Sequence, residues 1–86
     1  MKTLEVQILT PEAEFWSGQA EHVRAPGTEG SFGILPRHIG LVAALGQGQL
    51  EIRSSDGNHN FKISGGLLEV RNNTLRVLSD SIEALA

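Results

Sequence analysis

The sequence predicts an all-β protein: an antiparallel β-sandwich, or flattened barrel, of many short strands. Two observations predict it. Apolar residues alternate with polar ones along most of the chain, which is the period of a strand with one buried and one wet face. Turn-forming residues interrupt that alternation roughly every eight to twelve residues, the spacing of sandwiches and small barrels. A length of 86 residues sets one domain, 1–86.

In chain order, Leu4, Val6 and Ile8 alternate with Glu5 and Gln7, and Thr10-Pro11-Glu12 closes the run. Phe15-Trp16 reads as core, because an aromatic carries a large apolar area into a small domain; Ser17-Gly18 reads as the turn after it. Val23 and Ala25 alternate with His22 and Arg24. Gly46-Gln47-Gly48 reads as a turn before Leu50 and Ile52, which flank Glu51. Asp56-Gly57 and Asn72-Asn73 read as hairpin turns, since Asn and Gly tolerate positive φ. Between them, Phe61 and Ile63 flank Lys62, Gly65-Gly66 reads as a bulge or turn, and Leu68 and Val70 flank Glu69. Leu75 and Val77 flank Arg76 in the last run.

Two segments depart from the pattern. Ile39 to Leu45 is almost wholly apolar. Either a strand buried on both faces or a strand with one face covered by a partner explains it. The tail, 79–86, reads as a helix start, with Ser79 or Asp80 as cap and Glu83 near the positive end of the dipole.

Composition removes several function classes. There is no cysteine, hence no disulfide, thiolate metal site or cysteine nucleophile. A net charge of −3 without a basic cluster argues against nucleic acid. The opening residues carry no apolar or arginine-rich leader pattern, and no apolar run approaches a membrane span, so direct membrane insertion is not expected.

The chemical motifs are incomplete. The glycines of the stretch from Ala25 to His38 are not followed by Gly-Lys-Ser/Thr, and Gly46-Gln47-Gly48 leads to Glu51 where a dinucleotide fingerprint needs a third glycine. Ser64-Gly65-Gly66 lacks the Gly-x-Ser-x-Gly of a nucleophile elbow. Glu12 and Glu14 share a strand face but read as a solvated edge that discourages aggregation. Lys62 lies mid-strand, whereas a lipoyl or biotinyl lysine stands at a hairpin tip. His22 and His59 read as solvated surface residues with no metal-ligand spacing. His38, at the exit of the glycine-rich stretch, reads either as a partner contact or as a local hydrogen-bonding group. No catalytic residue, cofactor or metal is expected, and the Ala25–His38 stretch reads as a loop shaped to present a surface.

Several segments together are similar to a known family. They are Leu4-Glu5-Val6-Gln7-Ile8-Leu9-Thr10-Pro11-Glu12, Phe15-Trp16-Ser17-Gly18, Ala25-Pro26-Gly27-Thr28-Glu29-Gly30 through Gly33-Ile34-Leu35-Pro36 and His38, Ser64-Gly65-Gly66-Leu67-Leu68-Glu69-Val70, and Val77-Leu78-Ser79-Asp80. In this order they resemble the N-terminal β-sandwich domain of the epsilon subunit of F-type ATP synthase. The resemblance implies a non-catalytic rotor subunit of the central stalk. It would couple the gamma subunit to the membrane c-ring during proton-driven ATP synthesis. It would sit peripherally on the cytoplasmic side of a bacterial inner membrane and be a monomer when isolated. The resemblance further implies a c-ring contact through Ser31, Arg37 and His38, and a gamma contact through Thr10, Val42, Ala43 and Ala44. Family members often have an acidic residue in place of Ser31, glycine in place of Arg37, and Ala-Pro after the histidine, where this chain has Ile39-Gly40. They also continue into a two-helix C-terminal domain that inhibits ATP hydrolysis; a chain ending at Ala86 is expected to be a short form without that hairpin. The competing expectation is a free-standing β-sandwich that binds a small ligand.

Overall fold

The computed structural model describes residues 3–85. Its strands are β1 (Leu4–Leu9), β2 (Glu14–Ala20), β3 (His22–Gly27), β4 (Gly30–Ile34), β5 (Leu41–Ser54), β6 (Gly57–Arg71), β7 (Thr74–Leu78) and β8 (Ile82–Leu85). They hydrogen-bond in the order β2-β1-β7-β6-β5-β3-β4, and β8 joins a separate stretch of β6. The sheet path ends at β2 and β4 and does not close into a barrel. All pairings are antiparallel except β1 with β7, which run parallel with Val6 beside Leu75 and Ile8 beside Val77.

Two layers arise because β5 and β6 each run through both. Leu41–Leu45 of β5 and Leu67–Arg71 of β6 belong to a first layer with β7, β1 and β2. Gln47–Ser54 and Gly57–Ser64 belong to a second layer with β3, β4 and β8. The expected turns at Gly46-Gln47-Gly48 and Gly65-Gly66 are instead bends within continuing strands. Gly65 has φ +87° and Gly66 φ +139°, conformations open to a residue without Cβ, and the ladder resumes on both sides. The hairpin turns at Asp56-Gly57 and Asn72-Asn73 form as predicted, the two asparagines with φ of 52° and 58°.

The core fills the space between the layers with the predicted alternating residues: Val6 and Ile8, Val23 and Ala25, Leu50 and Ile52, Phe61 and Ile63, Leu68 and Val70, Leu75 and Val77 are all buried. Each fully buried aliphatic or aromatic side chain contributes about 1.5–3 kcal/mol over its exposed state. Ser17-Gly18 is no turn but the middle of β2. A Cβ on Gly18 would lie 2.8 Å from the Trp16 ring, so this glycine seats the indole. The register between β1 and β2 shifts at Ile8/Leu9, and the extra residue of that bulge is Phe15. Trp16 packs on the core while Phe15 is 41% exposed; both rings meet Phe61 edge-on, at 6.0 and 5.9 Å.

No helix starts at the tail. Ser79 does cap, accepting the Ser81 N–H at 3.1 Å and donating its hydroxyl proton to the Gly65 carbonyl at 2.7 Å. The product is a serine turn, after which Ile82–Leu85 pairs with Asn60–Ile63 of β6. The edge of β6 supplies ladder partners for each of these four residues, and that pairing wins over a helix. Ala86 lies outside the described residues.

Gly66→Ala tests the bend directly. The added Cβ would overlap the Leu78 carbonyl oxygen in a backbone region that costs a side chain of its own. The expected loss is roughly 2–4 kcal/mol in urea denaturation; an unchanged midpoint would show that the bend does not depend on this glycine.

Candidate functional site

The two outer faces of the sandwich differ in chemistry. On the second layer, cross-strand neighbours are polar: His22 beside Arg53 and Asn58, Arg24 beside Glu51 and Asn60, and Lys62 beside Glu83. On the first layer, one row runs Ala44, Leu67, Leu78, Leu9 across β5, β6, β7 and β1. Leu67 and Leu78 are each 44% exposed. Next to them Thr10, Pro11, Gly66 and Asp80 help to line an open, mainly apolar hollow of ≈ 360 Å³. The adjacent row is Val42, Glu69, Arg76 and Gln7. Arg76 Nε donates to Gln7 Oε1 at 3.0 Å, and its Nη1 lies 4.0 Å from Glu69 Oε1. An apolar strip with a polar, solvated border is the anatomy of a protein docking surface; the exposed ion pair adds little stability.

Of the four residues expected to face gamma, Thr10 borders the hollow, and Val42 and Ala44 lie on this outer face. Val42 is 66% exposed. The apolar run Ile39–Leu45 is therefore not buried on both faces; its outward residues are open. Ala43 is in register with buried Leu68 and turns to the core side, because neighbours along a strand alternate. It helps to line a separate hollow beneath the β3–β4 hairpin. Sequence reasoning missed Leu9, Leu67 and Leu78. Their signal was the doublets Ile8-Leu9, Leu67-Leu68 and Val77-Leu78, each placing an apolar residue where alternation calls for a polar one.

Ser31, Arg37 and His38 do not form one cluster. Ser31 opens β4 beside the β3–β4 turn and accepts from Arg24 Nη2 at 3.2 Å. Arg37 and His38 follow the other end of β4. Arg37 has φ 65°, and its N–H donates to Asn73 Oδ1 at 2.7 Å, while Asn73 Nδ2 donates to the Thr3 carbonyl at 2.9 Å. Asn73 thus ties this loop to the β6–β7 turn and to the entry of β1. His38 Nδ1 lies 2.8 Å from the Ile39 carbonyl oxygen, so Nδ1 carries the donated proton. The local hydrogen bond, one of the two readings of His38, is present.

The other histidines take different positions. His22 is half-buried on the polar face. His59 is only partly solvated, its side chain 33% exposed. The β6 register puts it on the face of Phe61 and Ile63, and its ring lies 5.0 Å from that of Trp16. Its Nε2 is 3.4 Å from Asp56 Oδ1. The Ser54 hydroxyl, and after it His59, hold the exposed Asp56 carboxyl below its ordinary range. A depressed carboxylate contributes stability above its unfolded pKa and loses it as pH falls through the folded value. Asp56→Asn should therefore narrow its stability gap to the parent chain between pH 7 and pH 2.5 or so. Urea titrations at both pH values check this; a gap that widens in acid would contradict it.

Among the described residues, no group of three or more His, Asp or Glu side chains is placed to hold a metal, and no helix is long and apolar enough to cross a membrane. The arrangement offers an exposed apolar surface on one face.

Comparison with known proteins agrees in kind. A family described as "ATP synthase, Delta/Epsilon chain, beta-sandwich domain" matches residues 3–85. An ATP synthase epsilon chain of Leptospira borgpetersenii is 44% identical over 77 residues, covering 90% of this chain and 61% of its relative. One from Nitratidesulfovibrio vulgaris is 42% identical over 82 residues, covering 95% and 61%. The chain thus spans about three-fifths of the length of these relatives. A chain in the cryo-EM structure of the Euglena gracilis mitochondrial ATP synthase, OSCP/F1/c-ring in rotational state 1, superposes with a TM-score of 0.87 at 19% identity, covering 95% of this chain and 53% of that one. A chain of the Tetrahymena thermophila mitochondrial ATP synthase central stalk and c-ring gives 0.76 at 24%, covering 91% and 63%. At those identities the likeness is one of fold.

Proposed function

The chain belongs to the ATP synthase delta/epsilon β-sandwich family, and from that premise we propose that it works as the stalk adaptor of an F-type ATP synthase. It holds the gamma subunit to the c-ring and performs no chemistry of its own. One observation carries the reading beyond family membership: the apolar row Ala44–Leu67–Leu78–Leu9 lies open on one outer face, while Arg24, Glu51, Arg53 and Lys62 stand on the other. Gamma covers that row, Ala44 included, with Thr10 and Val42 at its margins; Ala43 lies behind it, on the core side.

The ring contact runs along the free edge of β4. Ser31 stands at one end of that edge, and Arg37 and His38 lie beyond the other. Holding two partners at once makes the second contact effectively intramolecular, which strengthens both. Torque passes only through a stiff body, and two layers sharing one core and one continuous hairpin supply the stiffness. The assembly lies peripherally against the cytoplasmic side of a bacterial inner membrane. The free-standing ligand-binding alternative has less support, because the hollows of the surface are open to solvent and none encloses a ligand.

Two experiments test the reading. Leu78→Asp places a charge in the apolar row at an exposed position. It should weaken co-purification with the cognate gamma subunit at least about tenfold and cost roughly 1–2 kcal/mol of unfolding stability, leaving the chain folded. Undiminished gamma binding would sink the assignment of that face. His38→Ala and Arg37→Glu should each lower recovery of the chain with a gamma–c-ring complex and leave binding to gamma alone unaffected. Full recovery of both variants would remove them from the ring contact.

A further inference from the structure

The edge of β5 above the apolar row is left open. Leu41–Leu45 pairs with β6 on one side. On the other, β3 reaches it only at its end, where Gly27 lies beside Leu45 and the Thr28 N–H donates to the Ala44 carbonyl at 3.2 Å. That bond fixes the parity of the edge: the backbone groups of Ala44 and Val42 point away from β6. Among the described residues nothing pairs with Val42 on that side.

An edge of this kind is normally guarded. The edge strands β2 and β8 carry Glu14 and Glu83, while the β4 edge, Gly30–Ile34, is uncharged but flanked by Glu29 and Pro36. From Ile39 to Leu50 there is neither a charged residue nor a proline. Beside the free backbone groups stand Val42, 66% exposed, and Ile39, 79% exposed.

We infer that the Gly40–Ala44 edge of β5 accepts an extended strand from the same partner that covers the apolar face, so that the sheet of this chain continues into its partner. The inference rests on the proposed function. The geometry favours this occupant over a second copy of the chain. The free edge offers only a few ladder positions, and a two-stranded pairing so short is marginal by itself. A strand belonging to a partner already anchored on Leu67 and Leu78 has no separate association cost to meet. The apolar row and the edge are continuous through Ala44, which belongs to both. In such strand addition the main chain supplies affinity and alternate side chains supply specificity.

Val42→Pro is the discriminating variant. It removes an N–H that does not serve the β6 ladder, and proline is tolerated at such edge positions. Val42→Ala is its partner control, since it removes the side chain and keeps the N–H. Both are compared with the parent chain for unfolding midpoint, and Ala44→Pro stands in if Val42→Pro fails to fold. The measurements are affinity for the cognate gamma subunit and amide hydrogen exchange of the chain alone and in complex. The expected result is that the Val42 and Ala44 amides exchange freely in the isolated chain and become protected in the complex. Val42→Ala loses the side-chain contact with gamma and keeps the N–H, so Val42→Pro should bind roughly tenfold or more weakly than Val42→Ala. Gamma binding that is lost in Leu78→Asp but intact in Val42→Pro, with Val42 still exchanging freely, would overturn the strand and leave the proposed function standing. Absence of gamma binding by the parent chain would overturn both. A concentration-dependent dimer of the isolated chain that Val42→Pro abolishes would assign the edge to self-association instead.

Discussion

The rest of the structure depends on the β5–β6 hairpin. Its ladder runs from Leu41↔Val70 to Ser54↔Gly57, and both layers are built on its two halves. A hairpin this long could remain a flat ribbon. It folds over because Gly46 and Gly48 of β5 and Gly65 and Gly66 of β6 share one level of the ladder, between the Leu45↔Gly66 and Gly48↔Ile63 pairs, three of them with positive φ. The same bend turns the hydrophobic sides of both halves inward, so Leu50, Phe61 and Ile63 face Leu68, Val70 and their neighbours on β7 and β1. Ser79 then locks the corner by bonding the Gly65 carbonyl. Backbone freedom at a few glycines thus decides where one sheet becomes two.

Much of this was legible in the sequence, for a physical reason. Period-two alternation reports which side chains turn inward, and the alternating residues named from sequence are the core. What alternation cannot report is whether a glycine pair ends a strand or bends it, since the local residue preferences are the same. Hence Gly46-Gln47-Gly48 and Gly65-Gly66 were expected as turns, and Ser17-Gly18, whose glycine seats Trp16, as another. Pairing between distant segments is equally silent. Nothing local indicates that β1 runs parallel to β7, or that an edge of β6 awaits Ile82–Leu85; without that edge the serine-capped tail looks like a helix start.

The candidate surface was legible only in part. Thr10, Val42 and Ala44 came from resemblance, and Ala43 came with them although strand alternation sends it inward. The apolar row itself is assembled from four strands, so no window of sequence contains it. Its trace is three apolar doublets, which read singly as noise. Ser31 and His38 looked like one motif because they share a loop-rich stretch. In three dimensions β4 keeps them apart, and the bond from Arg37 to Asn73 anchors the far end to a different turn.

Solubility explains why the polar and apolar features divide as they do. A small domain cannot hide a second apolar stripe inside a core already filled by two layers, so any docking stripe must lie outside and cost solubility until it is covered. The chain limits that cost by bordering the stripe with Glu69, Arg76 and Gln7 and by placing Arg24, Glu51, Arg53 and Lys62 on the opposite outer face. The open β5 edge obeys the same logic. A charged residue at position 42 would guard it against chance pairing but would also repel an apolar strand. Leaving it unguarded is tolerable only where the edge is short and its neighbouring face stays covered, which is the condition that the proposed stalk adaptor would meet.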